Sequence, residues 1–268
     1  MGLGKTVKIE RVSSGGKRQA KDDTIPRESF ISLYLNREKI CVLSCSPQHP
    51  AELAAGHIVS QGYLDDYDSI DIIEICDGGQ EGKDEKEVSM DIIPVKIRTG
   101  SEPARKQAAG YIPPGCGSID EGAASVLPAP MIPDINIRPE VILGLNRKNL
   151  AVQEHKKALG GLHSAALFDL QGELLLVRED IGRHNCLDKI IGNMLINGME
   201  FTRKIIFTSG RISVDLVLKA VRVRIPAVVT NSSVTHSAAA LARDLGLIIL
   251  GYARGNRFNI YSYPERIK

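Results

Sequence analysis

The chain has 268 residues, of which 43% are hydrophobic, 25% charged and 4% aromatic, a composition typical of globular proteins rather than disordered or fibrous ones. Its formal net charge of +2 is too small to indicate nucleic-acid binding. The longest mostly apolar stretch, residues 245–253, is about half of a membrane span, and the N-terminus has no apolar signal core, which disfavours membrane and secreted proteins.

The first half of the chain predicts a basic tail followed by a small α+β unit. Residues 1–26 are rich in lysine and arginine and predict a flexible, solvated tail. Residues 27–135 are assigned to the N-terminal unit. Alternating and apolar patterns within it predict, in order, a strand hairpin at residues 30–35 and 39–43, a helix at 51–61, and strands at 70–76 and 88–97.

A long loop is predicted to end the N-terminal unit. Seven of the 13 prolines fall within residues 98–139, where no helical or strand periodicity is found. Cys116 lies in this loop between Gly115 and Gly117. A thiol in such a flexible, accessible segment favours nucleophilic or sulfur-carrying chemistry over packing.

Residues 136–268 predict an α/β core whose strand ends could bind a ligand. A helix at 140–157, a hairpin turning at Gln171-Gly172 and a helix at 184–197 come first. A regular series follows, with strands at 204–208, 227–230, 247–250 and 258–263 and helices at 212–223 and 234–245. This order predicts a layered, largely parallel sheet.

Ligands of such sheets bind beyond the carboxyl ends of the strands, which makes the residues after each strand candidates for the site. Ser209, Gly210 and Arg211 combine a hydroxyl, an approachable backbone and a guanidinium at a helix start, an arrangement suited to phosphate. The side chains of Asn231 to Ser233 could cap the next helix or bind ligand.

Further candidates lie in the last turn and beside the hairpin. The run Tyr252, Ala253, Arg254, Gly255, Asn256, Arg257 is typical of a turn and could also clamp a diphosphate between its arginines. His163 follows two glycines and could approach a ligand or be structural. His184 and Asp188 are four residues apart on a predicted helix and could form a hydrogen-bonded pair.

The pattern of cysteines and histidines favours a chain without a bound metal. Five cysteines, an odd number spread along the sequence, argue against a disulfide scaffold and favour the reducing cytoplasm. No C-x-x-C pair occurs, and the histidine and cysteine motifs of zinc deaminases are missing.

Six segments together resemble the FdhD/NarQ family of formate dehydrogenase accessory proteins. The run EDIGRHNCLDK within residues 178–192 is the most specific of them. The others are ELAAGHIVSQGYL at 52–64, GCGSID at 115–120, GGLHSAALFD at 160–169, FTSGRISVDLVLKA at 207–220 and GYARGNRFNIYSYPERI at 251–267.

This resemblance implies a cytoplasmic, homodimeric sulfurtransferase with a three-layer core around a mixed sheet, like that of cytidine deaminases, without their zinc. Such a protein takes persulfide sulfur from a cysteine desulfurase and passes it to the molybdenum cofactor, bis(molybdopterin guanine dinucleotide), before the cofactor enters formate dehydrogenase. The resemblance implies that Cys116 carries the sulfur and that the strand-end residues bind the cofactor, for which guanosine diphosphate is a mimic.

The chain departs from the family at one position of the cysteine loop. The family motif has a second cysteine three residues after the first, and here that position is Ile119. Two hypotheses therefore remain: Cys116 carries sulfur alone, or the protein binds and delivers the cofactor without sulfur chemistry. A deaminase-like hydrolase is a weaker third, because the zinc ligands are missing.

Overall fold

The computed structural model describes residues 2–76, 92–101, 103, 110–112 and 132–268. It contains a hairpin, a five-stranded sheet with one helix, and a six-stranded sheet covered by helices on both faces. The predicted α/β class, a mixed sheet core in three layers with a smaller α+β unit, is confirmed. No helix in the described ranges is long and apolar enough to cross a membrane.

The first strands replace the flexible tail predicted for residues 1–26. β1 (Gly4–Val12) and β2 (Arg18–Pro26) pair antiparallel along their whole length, and Gly15 and Gly16 turn the chain between them with positive φ. Most of their side chains are exposed. The polar composition of residues 1–26 predicted a tail, and this prediction is wrong. The strands pair through backbone hydrogen bonds, which depend little on the polarity of the side chains.

The N-terminal unit is a mixed sheet packed on one helix, α1 (Pro50–Ser60). The strands in spatial order are β5, β6, β3, β4 and β7. Their core comprises Leu33, Leu43, Leu53 and Ile58 among other apolar residues. Pro50 starts the helix where its missing N–H costs nothing, and Gly62, with φ +76°, turns the chain after its last residue. The strand bounds are β3 Ser29–Leu35, β4 Glu38–Cys45, β5 Ile72–Ile75, β6 Ile92–Arg98 and β7 Gly110–Ile112.

The core sheet has the strand order β13, β12, β11, β10, β8, β9 and is mixed. Only the pairs β10–β11 and β11–β12 are parallel. The prediction of a largely parallel sheet is wrong, because tight turns join β8 to β9 and β12 to β13, and a tight turn permits only antiparallel pairing. The bounds are β8 His163–Asp169, β9 Leu174–Asp180, β10 Lys204–Thr208, β11 Ala227–Thr230, β12 Ile248–Arg254 and β13 Arg257–Ile260.

Alternate residues of the core strands supply two separate apolar layers. Ile206, Val228 and Ile249 face α4 (Arg183–Ile196), α5 (Val214–Arg222) and α6 (His236–Leu245). Their neighbours Ile205 and Val229 face the opposite side, where α2 (Pro139–Ala151) packs. The predicted helix over 140–157 is divided, since α2 ends at Ala151 and a short helix, α3 (Glu154–Leu159), follows.

The two units meet where α1 crosses α4, and the backbones of the two helices are in direct contact there. A Cβ atom on Gly56 would lie 1.8 Å from the backbone oxygen of Asp188, and one on Gly192 would lie 1.8 Å from the backbone oxygen of Glu52. Such separations are far inside van der Waals contact. Only glycine at both positions permits this crossing.

Adding one methyl group at the crossing should therefore destabilise the protein. We expect Gly56→Ala or Gly192→Ala to lower the free energy of unfolding by about 1–3 kcal/mol or more, because the helices must separate. Gly144→Ala is the matched control: a Cβ at this position of α2 meets no atom within 4 Å, so the helix should gain about 0.5–1 kcal/mol. Urea unfolding measures all three. Equal changes in the free energy of unfolding for the three variants would contradict the close approach of α1 and α4.

Candidate functional site

A polar crevice of about 400 Å³ lies at the carboxyl ends of β10, β11 and β12. Its size is within the range of small-ligand pockets. The described residues that line it are Asn146, Ser209, Asn231, Ser232, Ser233, Tyr252 and Arg254. Six of the residues considered from the sequence are thus brought together, namely Ser209, Asn231, Ser232, Ser233, Tyr252 and Arg254. Asn146, on α2, was not foreseen, because no sequence signal linked that helix to the strand ends.

Ser209 is held at the end of β10 by the neighbouring strand. Its Oγ accepts a hydrogen bond from the backbone N–H of Ser164 (2.9 Å) and lies 3.5 Å from Nδ1 of His163. Because the Oγ accepts from the backbone, its own proton remains to be donated to His163 or to a ligand. Burial, with Lys156 and Arg183 nearby, holds the pKa of His163 below its ordinary value. A neutral imidazole can accept a hydrogen bond from this hydroxyl.

The end of β11 is tied to the loop after β10 by one threonine. Thr230 Oγ1 donates to the backbone oxygen of Gly210 (2.7 Å) and accepts from the backbone N–H of Ser232 (3.0 Å). The helix after β11 is capped by Thr235, whose side chain accepts from Ala238 N–H. The capping role considered for Asn231 to Ser233 is therefore wrong, and their side chains line the crevice instead.

Strain at Tyr252 directs its side chain to the crevice. This residue has φ 52°, a left-handed conformation that costs a non-glycine residue roughly 1–3 kcal/mol. It lies in a bulge of β12, where the pairing with β13 shifts between Gly251 and Arg254. A bulge redirects side chains. The Tyr252 N–H donates to the backbone oxygen of Ser232 (2.9 Å), and the Arg254 guanidinium lies 5.9 Å from the centre of the Tyr252 ring.

The remaining candidates of the last segment are divided between a turn and the core. Gly255 (φ +65°) and Asn256 form the two-residue turn between β12 and β13, as their residue types indicate. Ala253 is buried in the core facing α2. Arg257 is exposed on β13, and Arg211 is exposed beyond β10.

The predicted pair of His184 and Asp188 is wrong, because each contacts other partners from distant segments. His184 Nδ1 lies 2.9 Å from Asp215 Oδ2. Asp188 accepts from Ser60 Oγ (2.8 Å) and Lys219 Nζ (2.6 Å), and its Oδ2 lies 3.3 Å from His57 Nδ1. His184 is buried on α4 and is not among the residues that line the crevice.

These partners form a buried charge network between α1, α4 and α5. Burial by itself raises the pKa of Asp188, but the Lys219 ammonium and the His57 ring outweigh it, and the pKa lies well below its ordinary value. Burial opposes the charge of Lys219, but Asp188 and Asp215 raise its pKa. Burial lowers the pKa of His57. The network therefore holds Asp188 and Lys219 as a charged pair.

The distinctive run EDIGRHNCLDK is used largely to join the two units. Asp180 accepts from Lys189 Nζ (2.5 Å), from Asn185 Nδ2 (2.8 Å) and from the backbone N–H of Ser46 (3.0 Å). Asn185 also donates to the backbone oxygen of Ser44 (2.8 Å). The same carboxylate and amide thus bind the end of β4.

Burial makes three of the described thiols poor nucleophiles. It raises the pKa of Cys41 to about 12 and also raises the pKa of Cys45 and Cys186. Cys76 is half-buried. Cys116 lies outside the described residues. Among those that are described, no group of three or more His, Cys, Asp or Glu side chains is placed to hold a metal ion.

Comparisons with known proteins connect this arrangement to one family. The sequence model of the FdhD/NarQ family matches residues 26–268. Proteins named sulfur carrier protein FdhD are similar along nearly their whole length. The Sulfolobus acidocaldarius protein is 31% identical over 97% of both chains, and the Bacillus subtilis protein is 31% identical over 94% of both chains. The Thermoplasma acidophilum protein is 32% identical over 100% of this chain and 94% of its own.

A crystal structure shows the same fold. It is described as that of a formate dehydrogenase accessory protein from Desulfotalea psychrophila and superposes with a TM-score of 0.82, at 24% identity and with both chains covered completely.

The buried network should make stability sensitive to acid through Asp188. We expect Asp188→Asn to lower the free energy of unfolding at pH 7 by about 3–5 kcal/mol, because it leaves Lys219 charged and buried. The pKa of Asp188 is depressed in the folded protein, so its contribution is present above the unfolded value of about 3.9 and decreases as the pH falls below it. The difference between wild type and variant should therefore narrow below about pH 4.

Urea unfolding between pH 7 and pH 3 measures this difference. Asp134→Asn is the control, since the Asp134 side chain is 78% exposed where it pairs with Arg266, and its loss should change stability by less than about 1 kcal/mol. If the difference in free energy of unfolding between wild type and Asp188→Asn did not change with pH, Asp188 would not have a lowered pKa in the folded protein.

Proposed function

Since the chain belongs to the FdhD/NarQ family, we propose that it is a sulfur carrier protein required for formate dehydrogenase activity. It takes sulfur from a cysteine desulfurase in the cytoplasm and passes it to the molybdenum cofactor, bis(molybdopterin guanine dinucleotide), before the cofactor enters formate dehydrogenase. We expect it to act as a homodimer. The match over residues 26–268, with relatives of the same length named as sulfur carriers, carries this proposal.

Cys116 is the proposed sulfur-carrying thiol. Its thiolate attacks the outer sulfur of the donor's persulfide, the S–S bond of the donor breaks, and the donor leaves as a thiolate while Cys116 becomes a persulfide. Two observations support the choice. Cys116 lies between two glycines, and burial suppresses the thiolates of Cys41, Cys45 and Cys186.

The strand-end crevice is the proposed site for the nucleotide part of the cofactor, which is the substrate here. Arg254 supplies a positive charge for phosphate. Ser209, Ser232 and Ser233 add hydroxyl groups that donate or accept. His163 Nδ1 can accept a hydrogen bond from the Ser209 hydroxyl, which leaves one lone pair of that oxygen to accept from a ligand. The residues present therefore suit a polar, anionic ligand such as a guanosine diphosphate group.

A second candidate function is delivery of the cofactor without sulfur transfer. Ile119 favours it, because this position cannot supply the second thiol of the family's loop. The crevice would then be used in the same way. The two functions differ only in whether Cys116 becomes loaded with sulfur.

Loading with sulfur separates these functions. After incubation with a cysteine desulfurase and cysteine, we expect the intact mass to increase by one sulfur atom, and peptide mapping to place that atom on Cys116. The persulfide should persist, because Ile119 offers no thiol to displace it. Cys116→Ser should abolish the increase.

Cys76→Ser is the matched control and should load like the wild type, since it removes the half-buried thiol among those described. Sulfur on Cys76, Cys41, Cys45 or Cys186 would contradict the role of Cys116. No added sulfur together with intact guanosine diphosphate binding would favour the delivery function.

Binding of guanosine diphosphate tests the crevice. We expect Arg254→Ala to weaken binding by about 1.5–3 kcal/mol, the value of a hydrogen bond to a charged group. Arg257→Ala and Arg211→Ala should weaken it by less than Arg254→Ala, because both side chains are exposed outside the crevice. Calorimetry at constant ionic strength gives the three affinities. If Arg254→Ala bound guanosine diphosphate as tightly as the wild type, the nucleotide would not bind in this crevice.

A further inference from the structure

The first turns of α4 and α5 meet at a place that the crevice does not include. The loop that leads into α5 packs against the start of α4, where a Cβ atom on Gly210 would lie 2.7 Å from Cβ of Arg183. His184, the second residue of α4, contacts Asp215, the second residue of α5, with 2.9 Å between Nδ1 and Oδ2. Neither of these two residues lines the crevice.

Both helix starts carry a buried polar atom without a partner. His184 is 5% exposed, and its Nε2 atom has no hydrogen-bond partner among the described residues. Ser213, directly before α5, makes no capping hydrogen bond, and its buried Oγ also lacks a partner within the described part of the chain. Folded proteins leave few buried polar groups unpaired, because such groups are costly. Two of them at adjoining helix starts therefore indicate a place for a bound group.

The contact with Asp215 determines which nitrogen of His184 exchanges a proton. Burial by itself raises the pKa of Asp215, but Lys219 and His184 outweigh it and lower the pKa, so the carboxylate is ionised. An unprotonated Nδ1 at 2.9 Å would repel this carboxylate, so Nδ1 carries hydrogen, although the two groups lack the alignment of a hydrogen bond. Nε2 is then the atom that gains or loses a proton.

The surroundings of Nε2 favour a sulfur group over a permanent anion. α4 has 14 residues and α5 has 9, so each start carries partial positive charge and free N–H groups. Thiols lose their proton more easily at helix starts and beside a protonated histidine. The ionised Asp215 opposes an oxyanion here. A neutral thiol that gives its proton to His184 leaves the total charge of the site unchanged.

We propose that His184, Asp215 and Ser213 form a site for a thiol or persulfide, in which His184 Nε2 takes the proton of the S–H group. The S–H bond breaks and its electron pair stays on the sulfur. The sulfur anion lies against the protonated ring and accepts from the Ser213 hydroxyl, while Asp215 stabilises the ring. The choice of sulfur rests on the proposed function, because a sulfur carrier handles its cargo as a nucleophilic anion.

NMR of protein labelled with ¹⁵N-histidine tests this site, with sodium hydrosulfide as the probe. At neutral pH, without oxygen and at constant ionic strength, we expect one Nε2 resonance to move from the position of a neutral ring to that of a protonated ring. His184→Gln assigns this resonance by removing it. Asp215→Asn should weaken hydrosulfide binding by about tenfold or more, since the protonated ring loses its carboxylate.

Further variants and a second anion identify other causes. Ser213→Ala should weaken binding by less than Asp215→Asn and still allow the ring to become protonated. Asp244→Asn removes an exposed carboxylate of α6 and is the matched control, which should respond like the wild type. Arg254→Ala alters the crevice and should also respond like the wild type. Sodium sulfate, which has no proton to give at this pH, should leave the His184 resonance unchanged. Thermal unfolding verifies that each variant is folded.

The outcomes separate the inference from the function on which it rests. A His184 resonance that does not respond to hydrosulfide, or responds equally to sulfate, would overturn the sulfur site, whereas loading of Cys116 would still support the sulfur carrier. A response to hydrosulfide in a protein whose Cys116 takes no sulfur from the desulfurase would support the site and contradict the carrier function.

Discussion

The crossing of α1 and α4 is the constraint on which most of the molecule depends. With glycine at positions 56 and 192, the two backbones touch, and no side chain of these two residues separates the helices at the crossing. Polar groups beside the crossing lose their water and must find partners within the protein. This explains why Asp180 binds Lys189 and the end of β4, and why Asp188 binds Lys219 and Ser60. A shift of α4 would break the Asp180–Lys189 and Asp188–Lys219 pairs. A shift of α1 would remove Ser60 and His57 from Asp188.

The same crossing explains why a run dense in polar residues lies at the contact between the two units, apart from the residues that line the crevice. Removing one partner from a buried charged pair is costly, so the residue types in this run are narrowly restricted by the contact between the units. Arg178 adds to the contact from the core side, with two hydrogen bonds to Glu52 on α1 (2.6 and 2.7 Å). A specific sequence pattern can therefore arise from assembly of the fold as readily as from chemistry.

The crevice is not shaped by buried charged pairs. It is formed by the ends of three strands and by the strained backbone of Tyr252. Thr230 connects the segments after β10 and β11, and the backbone of Ser232 holds Tyr252 in its left-handed conformation. Neighbouring strands on both sides of β12 support that strain. The side chains that line the crevice are thus held in place by the core sheet. The thiol proposed to carry sulfur, Cys116, belongs to a separate, proline-rich segment. Binding and sulfur chemistry would then depend on different parts of the chain.

Local patterns in the sequence determined the order of strands and helices in the core, the turn at Gly255-Asn256, and the position of Ser209 directly after β10. Each of these depends on residues close together in the chain, through periodicity, turn chemistry and the carboxyl-end rule. Tertiary structure alone decided the partner of His184, which is Asp215 on another helix, the antiparallel pairing of β8 with β10, and the place of Asn146 in the crevice. These contacts join segments that are distant in the chain. Their energies depend on burial and packing, which cannot be inferred from a short stretch of sequence.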